Sequence, residues 1–409
     1  MIFFKKKSTR AHDGDFVFLN NNPEVIYLDN ACMSLRPKIV TDKIVEYYND
    51  YPACGGRSHH RFSERVGDGV REARDEVKKL INAAHSDEII FTRNSTEGIN
   101  ILAAGLALKR GDEVVISDKE HNSNLIPWLR LAQEGGIKIK VVSTGEDGVF
   151  NLDIFKRALT RRTKVVSIVH RSNLDGVTNP VKGIINAAHN VGALVILDAA
   201  QSIPSIGVDV RALNCDFLVF SGHKMCGPSG VGVLYGRRVL LNDLRPYNLG
   251  GETVIDSTYA SYNLKPVPER FEAGLQDYSG IIGLGEAVRY IQNVGFSKIM
   301  EVEERLNSLV TNGLSEEISS GKIKVLGPRD SKLRGGIFSF IIKGVDSHNA
   351  ARMLNASGIM VRSGAHCCHA WFNKNNLEGS VRASFYFYNT QGDAQKFVEG
   401  VKKIITLVG

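Results

Sequence analysis

The chain has 409 residues, of which 43% are apolar and 23% charged, with a formal net charge of +7. That length exceeds one simple core and fits two domains, or one large domain with a smaller appendage, of ordinary globular composition. No apolar run reaches the roughly 18 residues of a membrane span, charges after four residues exclude a secretory signal, and six scattered cysteines imply a reduced, cytoplasmic setting and no disulfide framework.

The N-terminal "FFKKKSTRAH" (3–12) reads as a solvated tail in preference to a nucleic-acid arm. Beyond it, strand-like and helix-like segments alternate through the first 240 residues. "DEIIFTR" (87–93) is an apolar run ending in a polar turn, and a helical pattern follows from 96 to about 108. "DEVVISD" (112–118) is a second strand, and a helix begins near Asn124. "IKIKVVST" (137–144), "KVVSIVH" (164–170), "ALVILDAA" (193–200), "CDFLVFSG" (215–222) and "GVGVLYG" (230–236) continue the series. The alternation predicts a mostly parallel, seven-stranded sheet covered on both faces. "GPSGVGVLYG" is too short for a crossover helix, so its strand turns back beside its predecessor.

After about residue 280 the pattern changes. A helical stretch runs from 283 to 319, broken near Gly295. Strands at 335–344 and 380–389, a helix at 347–356 and a C-terminal helix over 390–407 describe a compact α+β unit. The expected division is a large domain over 24–280, with 1–23 and 281–409 forming a small domain. There is no internal repeat.

Ligands of open α/β sheets bind at the carboxyl ends of the strands. There the sequence places Ser95 and Thr96 at a helix start, suited either to an anion or to an ordinary cap followed by Glu97. Asp198 and Gln201 follow one strand; Ser221, His223 and Lys224 follow the next. His170 and Asn173 sit at a fourth strand end and His121 at a fifth. GxGxxG and GxxxxGK[ST] are both missing, which disfavours dinucleotides and nucleoside triphosphates. Phosphate donors, an acid, an imidazole and a desolvated lysine together suit pyridoxal 5'-phosphate, which needs donors for its phosphate, a carboxylate for its pyridine nitrogen and a lysine for its aldehyde.

The blocks "YLDNA" (27–31), "FTRNSTEGIN" (91–100), "EHNSN" (120–124), "SNLDG" (172–176), "LDAAQS" (197–202), "SGHKMCGPSGVGVLYG" (221–236), "RFEAG" (270–274), "RSGAHC" (362–367) and "RASFYFYNT" (382–390) resemble the class V aminotransferase fold family. Within it they are closest in pattern to the group II (SUF-type) cysteine desulfurases and selenocysteine lyases. The resemblance implies the α/β pyridoxal-phosphate transferase fold of type I. It implies that Lys224 takes the cofactor aldehyde, Asp198 faces the pyridine nitrogen, Gln201 faces the phenolic oxygen and His121 stacks on the ring. Ser95, Thr96, Ser221 and His223 would surround the phosphate, Asn173 would lie near the ring oxygen and the substrate, and Arg382 would fork onto the substrate carboxylate.

Cys367 matches the nucleophile, carried in "RSGAHCCHAWF" (362–372). The implied reaction takes sulfur from L-cysteine as a persulfide on Cys367 and releases alanine. L-selenocysteine is the alternative substrate, and an aminotransferase or epimerase without sulfur transfer is the other rival in the fold. A zinc site at His366, Cys367, Cys368 and His369 is disfavoured, because adjacent cysteines suit tetrahedral zinc poorly. No metal is expected. The family implies a homodimer and a sulfur-acceptor protein serving iron–sulfur or other sulfur-containing cofactors; nucleic acid and membrane are not expected partners.

Three departures stand out. "RFEAG" leads into Leu275, Gln276 and Asp277 where a threonine reaching the partner's phosphate is usual. Cys32 and Met33 replace a small residue and a threonine. Arg171 stands in "HRSN", where it either tunes substrate choice or faces solvent. For Cys367, His366 or Arg362 is the expected cation favouring thiolate. Cys368 reads either as a small buried residue or as a relay thiol.

Overall fold

The computed structural model describes residue 12 and residues 14–56, 58–145 and 147–408. The tail read at 3–12 lies outside the described residues except for His12, whose ring packs edge-on against Phe387.

Seven strands form the central sheet, in the order Ile89–Thr92, Gly232–Gly236, Phe217–Ser221, Leu194–Asp198, Thr163–Val169, Glu113–Ser117 and Lys138–Val142. Six share one direction. Gly232–Gly236 runs antiparallel to both neighbours, as its short connection requires. Helices on both faces bury the central strands except exposed Lys164 and half-buried Leu194, which explains their Val, Ile, Leu and Phe runs. Lys138–Val142 is the exposed edge, and there the sequence alternates lysine with apolar residues.

Register places Val169 beside Asp198 and Asp198 beside Val219, so the functional strand ends lie along one edge. Gly232 makes that edge possible. A Cβ there would stand 2.6 Å from Asn94 Cα, so only glycine lets this strand pass beneath the start of helix Ser95–Gly105.

Helices Lys38–Asp50 and Arg61–Ile81 pack on Tyr278–Val294. Helix Arg61–Ile81 buries Val66, Ala73, Val77 and Leu80, a stripe at helical spacing, and ends on Asn82 in the left-handed region. The helical pattern over 283–319 resolves into Tyr278–Val294, Phe296–Gly313 and Ser315–Ser319, with Gly295 at φ 84° making the first break.

A second, antiparallel sheet runs in the order Ile323–Val325, Ile337–Ile342, Ser380–Ser384, Arg362–Gly364. It shares a core of Phe338, Phe340 and Phe397 with the helices behind it. The strand expected over 380–389 stops at Ser384. Phe385–Tyr388 have strand-forming side chains, but here the aromatics are buried between elements. The Tyr386 hydroxyl donates to Pro204 O (2.6 Å), and the Tyr388 oxygen accepts the Leu35 N–H (2.9 Å).

Candidate active site

A cavity of about 240 Å³ opens along the strand-end edge, lined among others by Ser95, Thr96, His121, Asn173, Asp198 and Gln201. Ser221, His223, Lys224, Arg382, Cys367 and Cys32 also line it. The residues matched to the family's site therefore line one cavity, whereas His170 from the same strand-end inventory does not. A larger cavity, about 500 Å³, lies elsewhere against Phe91, Arg93 and Leu275 and holds none of them.

Helix Ser95–Gly105 is capped by Asn94, whose side chain accepts the Glu97 N–H (3.0 Å). The cap lies one residue before Ser95, so the capping reading of Ser95 and Thr96 fails. Their hydroxyls sit instead in the first helical turn. Ser221 Oγ accepts the Ser95 N–H (2.9 Å), and Thr96 Oγ1 pairs with Ser123 Oγ (2.7 Å). Hydroxyls and first-turn N–H groups at a helix N-terminus suit a phosphate.

Lys224 follows strand Phe217–Ser221 in a short 3-10 turn. Burial pushes its ammonium pKa down, against the opposing pull of Asp198. Asp198 is 3% exposed, and its carboxylate accepts the Ala200 N–H (3.0 Å). Burial raises its pKa despite Lys224. A buried carboxylate short of partners is suited to a cationic N–H.

The His121 ring nitrogen Nδ1 accepts the Ser123 N–H (3.1 Å), which puts the ring proton on Nε2. Burial, then Lys224 and Arg382, push its pKa down to about 3, so the imidazole is neutral. His223 is lowered to about 4, first by burial. Gln201 donates to Ala31 O (2.6 Å), leaving one amide hydrogen for a ligand.

Pyridoxal 5'-phosphate fits these groups: hydroxyls at a helix start, a buried carboxylate short of partners, a neutral imidazole and a desolvated lysine share one cavity of suitable size.

Arg382 is 2% exposed and is fixed by two contacts, Nη1 donating to Asn173 O (2.9 Å) and Nη2 near Asp29 Oδ1 (3.5 Å). Its Nε has no partner among the described residues. The Asn173 side chain is turned toward the cysteine loop. Its Nδ2 donates to His366 O (2.8 Å), and its Oδ1 accepts the Cys368 thiol (3.5 Å).

His366 and Cys367 both adopt left-handed backbone, with φ 49° and 58°. Such strain costs about 1–3 kcal/mol per residue and persists only where neighbours impose it. Here the Asn122 N–H holds Cys367 O (2.7 Å), Asn173 holds His366 O, and the Cys368 N–H closes the turn on Ala365 O (2.7 Å). The result presents Cys367 exposed at the cavity mouth and turns Cys368 inward.

Several expectations change. His366 is not a cation: burial, then Arg382 and Arg362, lower it to about 2, and Nε2 pairs with Ser380 Oγ (2.8 Å). Arg362, in the cavity wall, is the remaining candidate. Arg171 neither faces solvent nor lines the cavity. It is 9% exposed and pairs with buried Glu303 (3.0 Å). Asp277, which stands past the usual threonine position, caps helix Tyr278–Val294 by accepting the Gly280 N–H (2.9 Å). Three of the four residues weighed for zinc have separate partners: His369 pairs with Asn122 (2.9 Å), His366 with Ser380 and Cys368 with Asn173. Sequence reasoning missed Asn122 and Asp29 as loop anchors. "EHNSN" contained the first and "YLDNA" the second, yet neither bond is visible without the fold.

The profile of the family "Aminotransferase class-V" matches residues 26–397. A probable cysteine desulfurase of Streptomyces coelicolor is 37% identical, over 98% of this chain and 95% of its own. An apo cysteine desulfurase structure from Thermococcus onnurineus superposes with a TM-score of 0.92 at 37% identity, covering 98% of this chain and 99% of that one. The Escherichia coli cysteine desulfurase CsdA, in an S-sulfonic acid form, gives 0.89 at 29% identity, covering 97% and 98%.

Proposed function

The chain belongs to the class V aminotransferase family, and on that footing we propose that it is a pyridoxal-phosphate-dependent cysteine desulfurase converting L-cysteine to L-alanine with Cys367 as sulfur acceptor. One observation carries the reading: buried Lys224 and Asp198, neutral His121 and exposed Cys367 share a single cavity.

Bound there, pyridoxal phosphate supplies an aldehyde for amines and an electron sink that weakens the Cα–H and C–S bonds of cysteine. Asp198 would hold the ring nitrogen, and Ser95, Thr96, Ser221 and His223 would hold the phosphate. The neutral ring of His121 would cover the cofactor face without adding charge. Arg382, preset by Asn173 O and Asp29, receives the substrate carboxylate. Lys224, its ammonium disfavoured by burial, takes the α-proton as a free amine and later returns one. The Cys367 thiolate, near Arg362, attacks the substrate sulfur; the C–S bond breaks, the persulfide stays on Cys367 and alanine leaves.

Further parts of the same proposal concern the setting. The persulfide passes to an acceptor protein for iron–sulfur clusters or another sulfur-containing cofactor. The enzyme acts in the cytoplasm as a homodimer, and exposed Ile39, Val45 and Tyr48 on one helix and Ile255, Tyr259 and Tyr262 on a hairpin support an apolar contact between subunits. No helix among the described residues is long and apolar enough to cross a membrane. The proposed division is a large domain over 24–280 and a small one over 281–409 with 1–23, of which residues 1–11, 13 and 409 lie outside the described residues.

Purified protein should carry a visible absorbance band that Lys224→Ala removes, and should release alanine from L-cysteine. Protein without that band, even after incubation with pyridoxal phosphate, would overturn the reading.

A further inference from the structure

We propose that Cys32 is a second sulfur site, taking the terminal sulfur from the Cys367 persulfide and holding it inside the cavity; this rests on the desulfurase reading. Cys32 and Cys367 are far apart in sequence but line the same cavity of about 240 Å³. Cys32 stands on a tight turn, where its N–H and that of Met33 both donate to Asp29 O (3.1 and 3.2 Å). Asp29 in turn lies 3.6 Å from Arg362 and 3.5 Å from Arg382. Those arginines belong to the two strands that flank the cysteine loop, Arg362–Gly364 and Ser380–Ser384. The turn bearing one thiol is therefore tethered to the loop bearing the other.

The cavity wall is also suited to anionic sulfur. Arg362 and Arg382 supply positive charge in the wall that the two thiols share. His366 lines the same cavity at 6% exposure, and its Nδ1 has no hydrogen-bond partner among the described residues. His366 thus brings one unpaired buried nitrogen to the wall that holds both thiols.

Cys368, the adjacent thiol, is placed otherwise. It is 1% exposed, clusters with Leu174, Leu326 and Phe372, and bonds to Asn173 Oδ1. Burial pushes its pKa up to about 12. The relay thiol weighed at Cys368 belongs at Cys32.

The transfer is balanced without any oxidant or reductant. The Cys32 thiolate attacks the terminal sulfur of the Cys367 persulfide. A new S–S bond forms at Cys32 as the bond from that sulfur to Cys367 Sγ breaks. Cys367 departs as thiolate, and the proton given up by Cys32 is returned to the site. Cys367 is then free for a second turnover, so one chain holds two sulfurs.

The test uses holoenzyme with L-cysteine and no reductant or acceptor, followed by rapid alkylation, peptide mass mapping and alanine counting. Wild-type protein should show an added sulfur on the Cys32 peptide, with alanine approaching two per chain. Cys367→Ala should leave Cys32 bare, and Cys32→Ser should cap alanine near one per chain with sulfur on Cys367. Sulfur on Cys367 with Cys32 always bare would overturn this proposal alone. No alanine and no sulfur on either residue would overturn the desulfurase reading beneath it.

Discussion

Replacing Cys368 by alanine separates the two adjacent cysteines most clearly. The thiol is 1% exposed, packed among Leu174, Leu326 and Phe372, with Sγ 3.5 Å from Asn173 Oδ1 and 4.0 Å from Lys119 O. The substitution removes one buried heavy atom and one weak S–H bond, a loss of about 1–2 kcal/mol. The Cys367 turn keeps its other anchors: the Asn122 N–H on Cys367 O, Asn173 Nδ2 on His366 O, and the closing bond to Ala365 O. If the whole loss went into misplacing Cys367, the rate would fall roughly tenfold, since 1.4 kcal/mol is a factor of ten. Shared between stability and loop position, it should lower kcat by about two- to fivefold. The assay is alanine release at saturating L-cysteine with a reductant to clear the persulfide, run beside Cys367→Ala, which should lose essentially all turnover. Brief iodoacetamide treatment of native enzyme should label Cys367 and spare Cys368, whose thiol burial holds near a pKa of 12. Equal collapse of both variants would mean that the pair acts as a unit and that the anchoring argument is wrong.

Arg171→Met should destabilise the protein by about 3–5 kcal/mol by stranding buried Glu303, whereas pairing it with Glu303→Leu should recover most of that loss; a denaturant double-mutant cycle with additive losses would contradict the buried pair. His170, lowered to about 4 by burial and then Arg171, and His366, lowered to about 2, bind fewer protons folded than unfolded. Their contribution is therefore complete above the unfolded pKa of about 6.5 and is lost as pH falls below it, on the order of 2 kcal/mol each by pH 5. Unfolding midpoints of His170→Asn and His366→Asn that show the wild-type pH slope between 7 and 5 would refute this. Gly232→Ala should displace the start of helix Ser95–Gly105 and weaken pyridoxal phosphate retention at least tenfold, measured by dialysis and absorbance; wild-type retention would contradict the close packing against Asn94.

Much of the site was legible because the chemistry concentrates at strand ends. Asp198 ends, and Lys224 closely follows, a short apolar run bounded by turn residues, which reads as a buried strand within the strand–helix alternation, and the α/β rule aims such ends at one edge. What escaped depends on contacts between distant segments. The neutrality of His366 comes from burial beside Arg382 and Arg362, which no local pattern reveals. Arg171 read as a free charge because Glu303 is far along the chain. Ser95 and Asn94 are equally good caps by composition, and only the backbone decides between them. The aromatic run Phe385–Tyr388 has strand propensity, yet it leaves the sheet because bonds to Pro204 and Leu35 and burial on all sides offset the lost ladder.

The most direct test of the account is a single-turnover experiment on holoenzyme with L-cysteine, measuring alanine and protein-bound sulfur together in wild type and Cys367→Ala. The account predicts alanine with matching protein-bound sulfur in wild type, and in the variant neither alanine at the wild-type rate nor bound sulfur. Wild-type alanine formation in Cys367→Ala would contradict it.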